Sequence, residues 1–194
     1  MKIGLFFGSF NPIHIGHLII AGYMASFTDL DQVWLVVSPQ SPLKKKNGLA
    51  GVYDRIEMAR LATDSSHNIL VSSVELSMPQ PSYTVDTLNE LKIRYPEYQF
   101  SLIMGADNIV SLRKWKSHEQ ILAEHKIFVY PRPGSDIGEW INHPQICITE
   151  APFLELSSTF IRKALKDKKN IQYMLPESVL DFIDRKSLYS RSSK

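Results

Sequence analysis

Cysteine is nearly absent. Cys147 is the only one in 194 residues, so no internal disulfide can form. The expectation is a reduced, cytoplasmic compartment and a buried, inert thiol. An excess of charge of one sign is missing too. Lys and Arg number 22 and Asp and Glu 20, a formal net charge of +2. That near-balance does not suggest a nucleic-acid-binding surface. No apolar run reaches the roughly 20 residues a membrane-spanning helix needs, LIIAGYMASF at 18–27 being too short. The opening MKIGLFFGSF imitates a signal peptide, but it runs into Asn11-Pro12 and two histidines with no small-residue cleavage site. Internal repeats and low-complexity linkers are also missing. What remains is a chain of ordinary globular composition, expected to form one domain over 1–194 with C-terminal helices at about 157–190 packed on it. The basic stretch RKALKDKKN at 162–170 is expected to be the solvated face and end of a helix.

What is present is a regular alternation. Ile3–Phe7, VWLVV at 33–37, Ile69–Val74, FSLIM at 100–104, IFVY at 127–130 and Gln145–Thr149 read as strands. Several are continuous apolar runs, the mark of strands buried on both faces. Helices are expected at His14–Phe27, Tyr53–Thr63, Tyr83–Tyr95, from about Asp107, at Ser158–Lys166 and at Glu177–Arg185. Strand and helix in turn predict an α/β fold, a doubly wound parallel sheet of Rossmann-like type. Ligands bind such sheets at the carboxyl ends of the strands.

Polar motifs follow those strands. GSFNPIHIGH at 8–17 is a strand, a tight turn and a helix start. Gly8 and Ser9 let backbone N–H groups approach an anion, and the helix N-terminus adds a favourable dipole. His14 and His17 are three residues apart and share a helix face, where two imidazoles can donate to phosphate oxygens. Gly16 between them would let a base or ribose lie close to the backbone. The alternatives are a capped helix with surface histidines, or a metal pair. Further His, Cys or carboxylate partners for zinc are not nearby in sequence. LELSSTFIRKAL at 154–165 offers Ser157 or Ser158 as a helix cap and Arg162 four residues after Ser158. Hydroxyls, helix amides and a guanidinium can cradle a polyphosphate, or the segment can be only a capped amphipathic helix. Asp107 in MGADN either caps a helix or meets a ribose hydroxyl, and Trp115 either packs or stacks on a flat heterocycle. Tyr83 and Thr84 begin a helix whose amides could bind a carboxylate. Lys44, Lys45 and Lys46 lie in a proline-containing polar stretch and could meet a phosphate.

H-I-G-H is shared with class I aminoacyl-tRNA synthetases. A synthetase would also carry a Lys-Met-Ser-Lys-Ser-like loop, an anticodon-binding domain and far more length, and these are missing. GSFNPIHIGH together with SSTFIR resembles the nucleotidyltransferase superfamily instead. With PLKK, SYTVDTL and MGADN followed by Trp115, the chain resembles the bacterial nicotinate-nucleotide adenylyltransferase family over residues 4–162. It departs at Phe7, where that family often has a second Gly, and at Ser41-Pro42-Leu43-Lys44, where Pro-Pro-His-Lys is common.

The resemblance implies the substrates ATP and nicotinate mononucleotide, with no nucleic acid and no membrane as partners. Magnesium would come bound to ATP, with no dedicated metal site. It places Gly8, Ser9, Phe10, Gly16, His14 and His17 at ATP, with Gly105 and Asp107 at its adenosine or ribose. Ser158, Thr159 and Arg162 would hold the triphosphate, and His14, His17 and Arg162 would act in catalysis. Lys44, Tyr83, Thr84 and Trp115 would receive nicotinate mononucleotide. Related readings are a nicotinamide mononucleotide or phosphopantetheine adenylyltransferase, a CTP-using glycerol-3-phosphate cytidylyltransferase, or a non-catalytic nucleotide sensor. The sequence leaves the oligomeric state open.

Overall fold

The computed structural model describes residues 1–39, 48–152 and 154–190. Six strands form one wholly parallel sheet: β1 (Lys2–Gly8), β2 (Gln32–Val37), β3 (Ile69–Ser72), β4 (Gln99–Gly105), β5 (Ile127–Tyr130) and β6 (Ile146–Ile148), in the order β3-β2-β1-β4-β5-β6. Helices α1 (Ile15–Phe27), α2 (Val52–Thr63), α3 (Thr84–Arg94), α4 (Ala106–Ile109), α5 (His118–Glu124), α6 (Ser158–Lys166) and α7 (Glu177–Arg185) connect and follow them.

The apolar runs are continuous because alternate residues feed two cores. Phe6, Val33, Leu35, Val37, Ile103 and Phe128 face one core, closed by α1, α2, α6 and α7. Ile3, Leu5, Trp34, Val36, Leu102 and Val129 face the other, closed by α3, α4 and α5. A strand covered on both sides has no polar face to show, so strict alternation is lost. The carboxyl-terminal helices share the first core through Ile161, Ala164, Val179, Phe182 and Ile183. The basic stretch at 162–170 ends α6, with Lys163, Lys166, Lys168 and Lys169 exposed, as expected.

The chain lays down β1, β2 and β3 in one direction, returns to put β4 beside β1, and continues outwards through β5 and β6. The reversal leaves a crevice at the carboxyl ends of β1 and β4, where doubly wound sheets bind ligands.

Several local expectations shift. The third strand stops at Ser72 instead of Val74, and Val74–Ser77 winds into a 3-10 turn. The helix expected near Asp107 is a single turn, Ala106–Ile109, followed by a 3-10 turn at Leu112–Lys114. Helix α5 was not anticipated. Its seven residues bury only Ile121, too short a pattern to read as a period.

Candidate active site

The signature GSFNPIHIGH leaves the sheet at Gly8 and enters α1 at Ile15. Phe10 makes the turn with φ of 43°, a left-handed conformation that a non-glycine residue seldom adopts. Its ring secures it. It is 1% exposed, packs edge-on against Phe6 and His17, and lies so close beneath Gly8 that a Cβ there would come within 2.8 Å of it. Gly8 is therefore required by the aromatic wedge below it. Phe10 can meet a nucleotide only through its backbone. The N–H groups of Ser9 and Phe10 have no acceptor among the described residues, the arrangement that anion-binding turns use.

His14 and His17 face each other as stacked rings, with centroids 3.7 Å apart. Sharing one helix face, as expected, brings them together. The His14 N–H donates to Nδ1 of His17 at 3.2 Å. That fixes Nδ1 of His17 as an acceptor, so the proton of its neutral ring sits on Nε2, free to donate. Gly16 is explained by this pair: a Cβ there would lie 3.1 Å from the His14 ring. Burial pushes the His14 pKa down to about 4, helped by the charge of Arg132. Burial likewise holds His17 well below the ordinary range, with His14 and Arg132 contributing.

Arg132, in the YPRPG segment after β5, lines the same depression as His14, Gly16 and His17. Its buried Nε has no hydrogen-bond partner among the described residues, and neither has Nδ1 of His14. Asp107 lies 3.8 Å from that Nε by its Oδ1 and also crowds over Gly105. So Gly105 and Asp107 reach the same edge as the histidines. The only sequence signal for Arg132 is its place two residues past the end of a strand.

The second motif docks on the first. Ser157 caps α6, its Oγ accepting the Phe160 N–H at 3.2 Å. Ser158, the other candidate cap, donates its hydroxyl to the Pro12 carbonyl at 2.9 Å. Arg162 donates to the Asn11 carbonyl at 2.8 Å and to the Thr159 hydroxyl at 3.2 Å. Ser158, Thr159 and Arg162 therefore stand beside the turn of the signature, although 146 or more residues later in the chain.

On the opposite side of β1 lies a cleft of about 320 Å³. Gly8, Ser9, Tyr83, Thr84 and Trp115 line it. Thr84 is the first residue of α3, and Tyr83 precedes it in extended conformation, so amide N–H groups of the helix start border the cavity. Lys114 and Lys116 flank Trp115 and also line the cleft. Lys116 Nζ lies 4.9 Å from the Tyr83 ring centroid and pairs with Asp86 at 2.8 Å. Both lysines are sequence neighbours of Trp115 in RKWK, but charge alone does not distinguish them from solvated surface lysines. Phe6 and Tyr130 line both the cleft and the histidine depression, so the two are adjacent compartments at the carboxyl ends of β1 and β5. Lys44, Lys45 and Lys46 lie outside the described residues.

The chain matches the cytidylyltransferase-like family over residues 5–164. It is 53% identical over 193 residues to the "probable nicotinate-nucleotide adenylyltransferase" of Flavobacterium psychrophilum, covering 98% of this chain and all of the relative. The protein of the same name from Flavobacterium johnsoniae is 51% identical, again over 98% of this chain and all of the relative. Among solved structures, the nicotinic acid mononucleotide adenylyltransferase of Plasmodium falciparum complexed with NaAD superposes with a TM-score of 0.82 at 23% identity, covering 97% of both chains. That likeness adds the fold, an α/β sheet of the same type. With half-identical relatives matched end to end, the chain belongs to the nicotinate-nucleotide adenylyltransferases of the cytidylyltransferase-like family.

Proposed function

We propose that the chain transfers the adenylyl group of ATP to nicotinate mononucleotide, forming nicotinate adenine dinucleotide and pyrophosphate in NAD biosynthesis. One observation carries the division of labour. A histidine- and arginine-lined depression suited to phosphates abuts a cleft edged by helix amides and a half-buried Trp, suited to an aromatic carboxylate. ATP is assigned to the depression, to Gly8, Ser9, Phe10, Gly16, Gly105 and Asp107, and to Ser158 and Thr159. Nicotinate mononucleotide is assigned to Tyr83, Thr84 and Trp115, with Lys114 and Lys116 added to them.

A phosphate oxygen of the mononucleotide attacks the α-phosphorus of ATP in line. The bond to the bridging oxygen of the β-phosphate breaks, and pyrophosphate leaves. The attacking oxygen is already ionised at neutral pH, so the step needs no general base. Catalysis then rests on positioning and on donors aimed at developing charge. The neutral His17 donates from Nε2, His14 from whichever nitrogen carries its proton, and Arg132 and Arg162 bring positive charge. The unpartnered buried Nε of Arg132 and Nδ1 of His14 fit a polyphosphate that completes their bonding. The described residues hold no group of three His, Cys, Asp or Glu that could cage a metal. Magnesium would come bound to ATP, where it would offset phosphate charge. No described helix is long and apolar enough to cross a membrane, and a cytoplasmic site of action is part of the proposal.

At the α3 start, two N–H donors satisfy both oxygens of a carboxylate. An amide would turn its NH₂ against one of them, leaving donor facing donor. The test is product formation from ATP and nicotinate mononucleotide. CTP and phosphopantetheine are the controls. Turnover with ATP and the mononucleotide alone supports the reading, and turnover only with CTP or phosphopantetheine refutes it.

A further inference from the structure

Arg55 has no assigned part in the chemistry, and its environment is unusual. It sits in the first turn of α2, is 0% exposed, and no carboxylate pairs with it among the described residues. A bare buried cation would be costly. Here the guanidinium instead donates to four carbonyls: Ser9 at 2.6 Å, Ser38 at 2.8 Å, Pro39 at 2.9 Å and Ala50 at 3.1 Å. It thus ties the end of β1, the end of β2 and the start of α2 to one planar group.

The Ser9 contact matters most. A peptide group is planar, with C=O and N–H pointing opposite ways. Turning the Ser9 carbonyl onto Arg55 therefore turns the Phe10 N–H away from it. That N–H has no acceptor among the described residues. Asn11 completes the fixture. Its Oδ1 accepts from the Tyr189 hydroxyl at 2.7 Å and from the Ala50 N–H at 3.0 Å, and its Nδ2 donates to the Gly48 carbonyl at 2.9 Å. Its own carbonyl receives Arg162.

We infer that Arg55 is a positioning residue for ATP. From behind the signature turn it fixes, and by its charge polarises, the Ser9–Phe10 peptide so that the free N–H is aimed at the triphosphate. Tyr189, near the carboxyl end, steadies the same turn through Asn11. This role rests on the proposed use of ATP but not on the identity of the acceptor.

The test is calorimetric binding of magnesium–ATP to the full chain without acceptor, alongside KM for both substrates. Arg55→Lys keeps the charge but cannot span four carbonyls. Arg55→Gln loses both charge and fork. The expected result is ATP affinity weakened about tenfold in Arg55→Gln and less in Arg55→Lys. KM for ATP should rise in step, and KM for nicotinate mononucleotide should move less than about twofold. Tyr189→Phe, which removes one hydroxyl, should stay folded and weaken ATP two- to threefold. A role confined to stability would lower the melting temperature while leaving ATP affinity of the folded protein unchanged, and that outcome overturns the inference. If Arg55 variants do not fold, an unchanged ATP affinity in Tyr189→Phe overturns it equally. Wild-type protein that fails to bind ATP refutes the proposed function itself.

Discussion

In the proposed reaction, His14 and His17 enter as neutral rings. The His14 pKa stands at about 4 and that of His17 well below its ordinary value, so lowering the pH from 8 to 6 protonates neither in the free protein. An imidazole inflection near 6.5 should accordingly be missing from the pH profile of kcat/KM. A clear inflection there that disappears in His17→Ala would contradict the assignment. Stability behaves differently. Unfolded histidines take up protons near 6.5, whereas folded His14 resists until about 4. The unfolded chain then binds more protons across that window, so stability falls as the pH drops from 6.5 towards 4. Melting curves across this range should show the decline, with a shallower slope in His14→Asn. For catalysis, His17→Ala should lower turnover at least about tenfold, the scale of a lost transition-state donor. Near-normal turnover in the folded variant would rule out that role. At this scale the sequence was informative wherever a side chain belongs to a contiguous motif. Arg132 and Arg55 escaped because the first is marked only by its distance past a strand. The second lies within a helix and acts on carbonyls at the ends of β1 and β2 and just before its own helix.

In the proposed reaction helix starts do much of the positioning, and they can be probed one at a time. Thr84 is the first residue of α3 and follows an extended Tyr83, a place where proline is tolerated because its missing N–H has no helical partner. Thr84→Pro should preserve the helix yet delete one candidate donor to the carboxylate. Thr84→Ala keeps that donor. We expect KM for nicotinate mononucleotide to rise about tenfold or more in the proline variant, since an ionic hydrogen bond is worth about 1.5–3 kcal/mol, and to exceed the alanine effect. Equal effects would transfer the role to the Thr hydroxyl. At α6, Ser157→Ala should cost about 1 kcal/mol of stability through the lost cap. Ser158→Ala should instead weaken ATP binding, because its hydroxyl anchors the helix to Pro12. Long elements were legible because apolar runs bounded by Gly and Pro define parallel strands. The bounds of α6, which has a serine cap and an apolar stripe, and of α7 match those read from the sequence. Short 3-10 turns and α5 were not legible, since each buries a single residue or two and is set by tertiary contact.

Across the whole molecule, the carboxyl-terminal helices fill the same core as the sheet and deliver Ser158 and Arg162 to the signature turn. We propose that the chain is one folding unit, and expect thermal unfolding in a single transition that ATP shifts upward. Two separate transitions would instead make the C-terminal segment an independent module. The parallel sheet and its crevice could be anticipated from strand–helix alternation. The meeting of residues 8–17 with 157–162 was implied only by the family resemblance, because periodicity does not say which distant segments touch. The adjoining of a phosphate compartment to an aromatic, carboxylate-receiving one is the central claim. Magnesium-dependent pyrophosphate release from ATP, compared between nicotinate mononucleotide and nicotinamide mononucleotide, tests it most directly. Fast release with the acid and slow release with the amide is the predicted result. Equal rates with both would contradict the carboxylate site at the start of α3, and no release with either would contradict the proposed reaction.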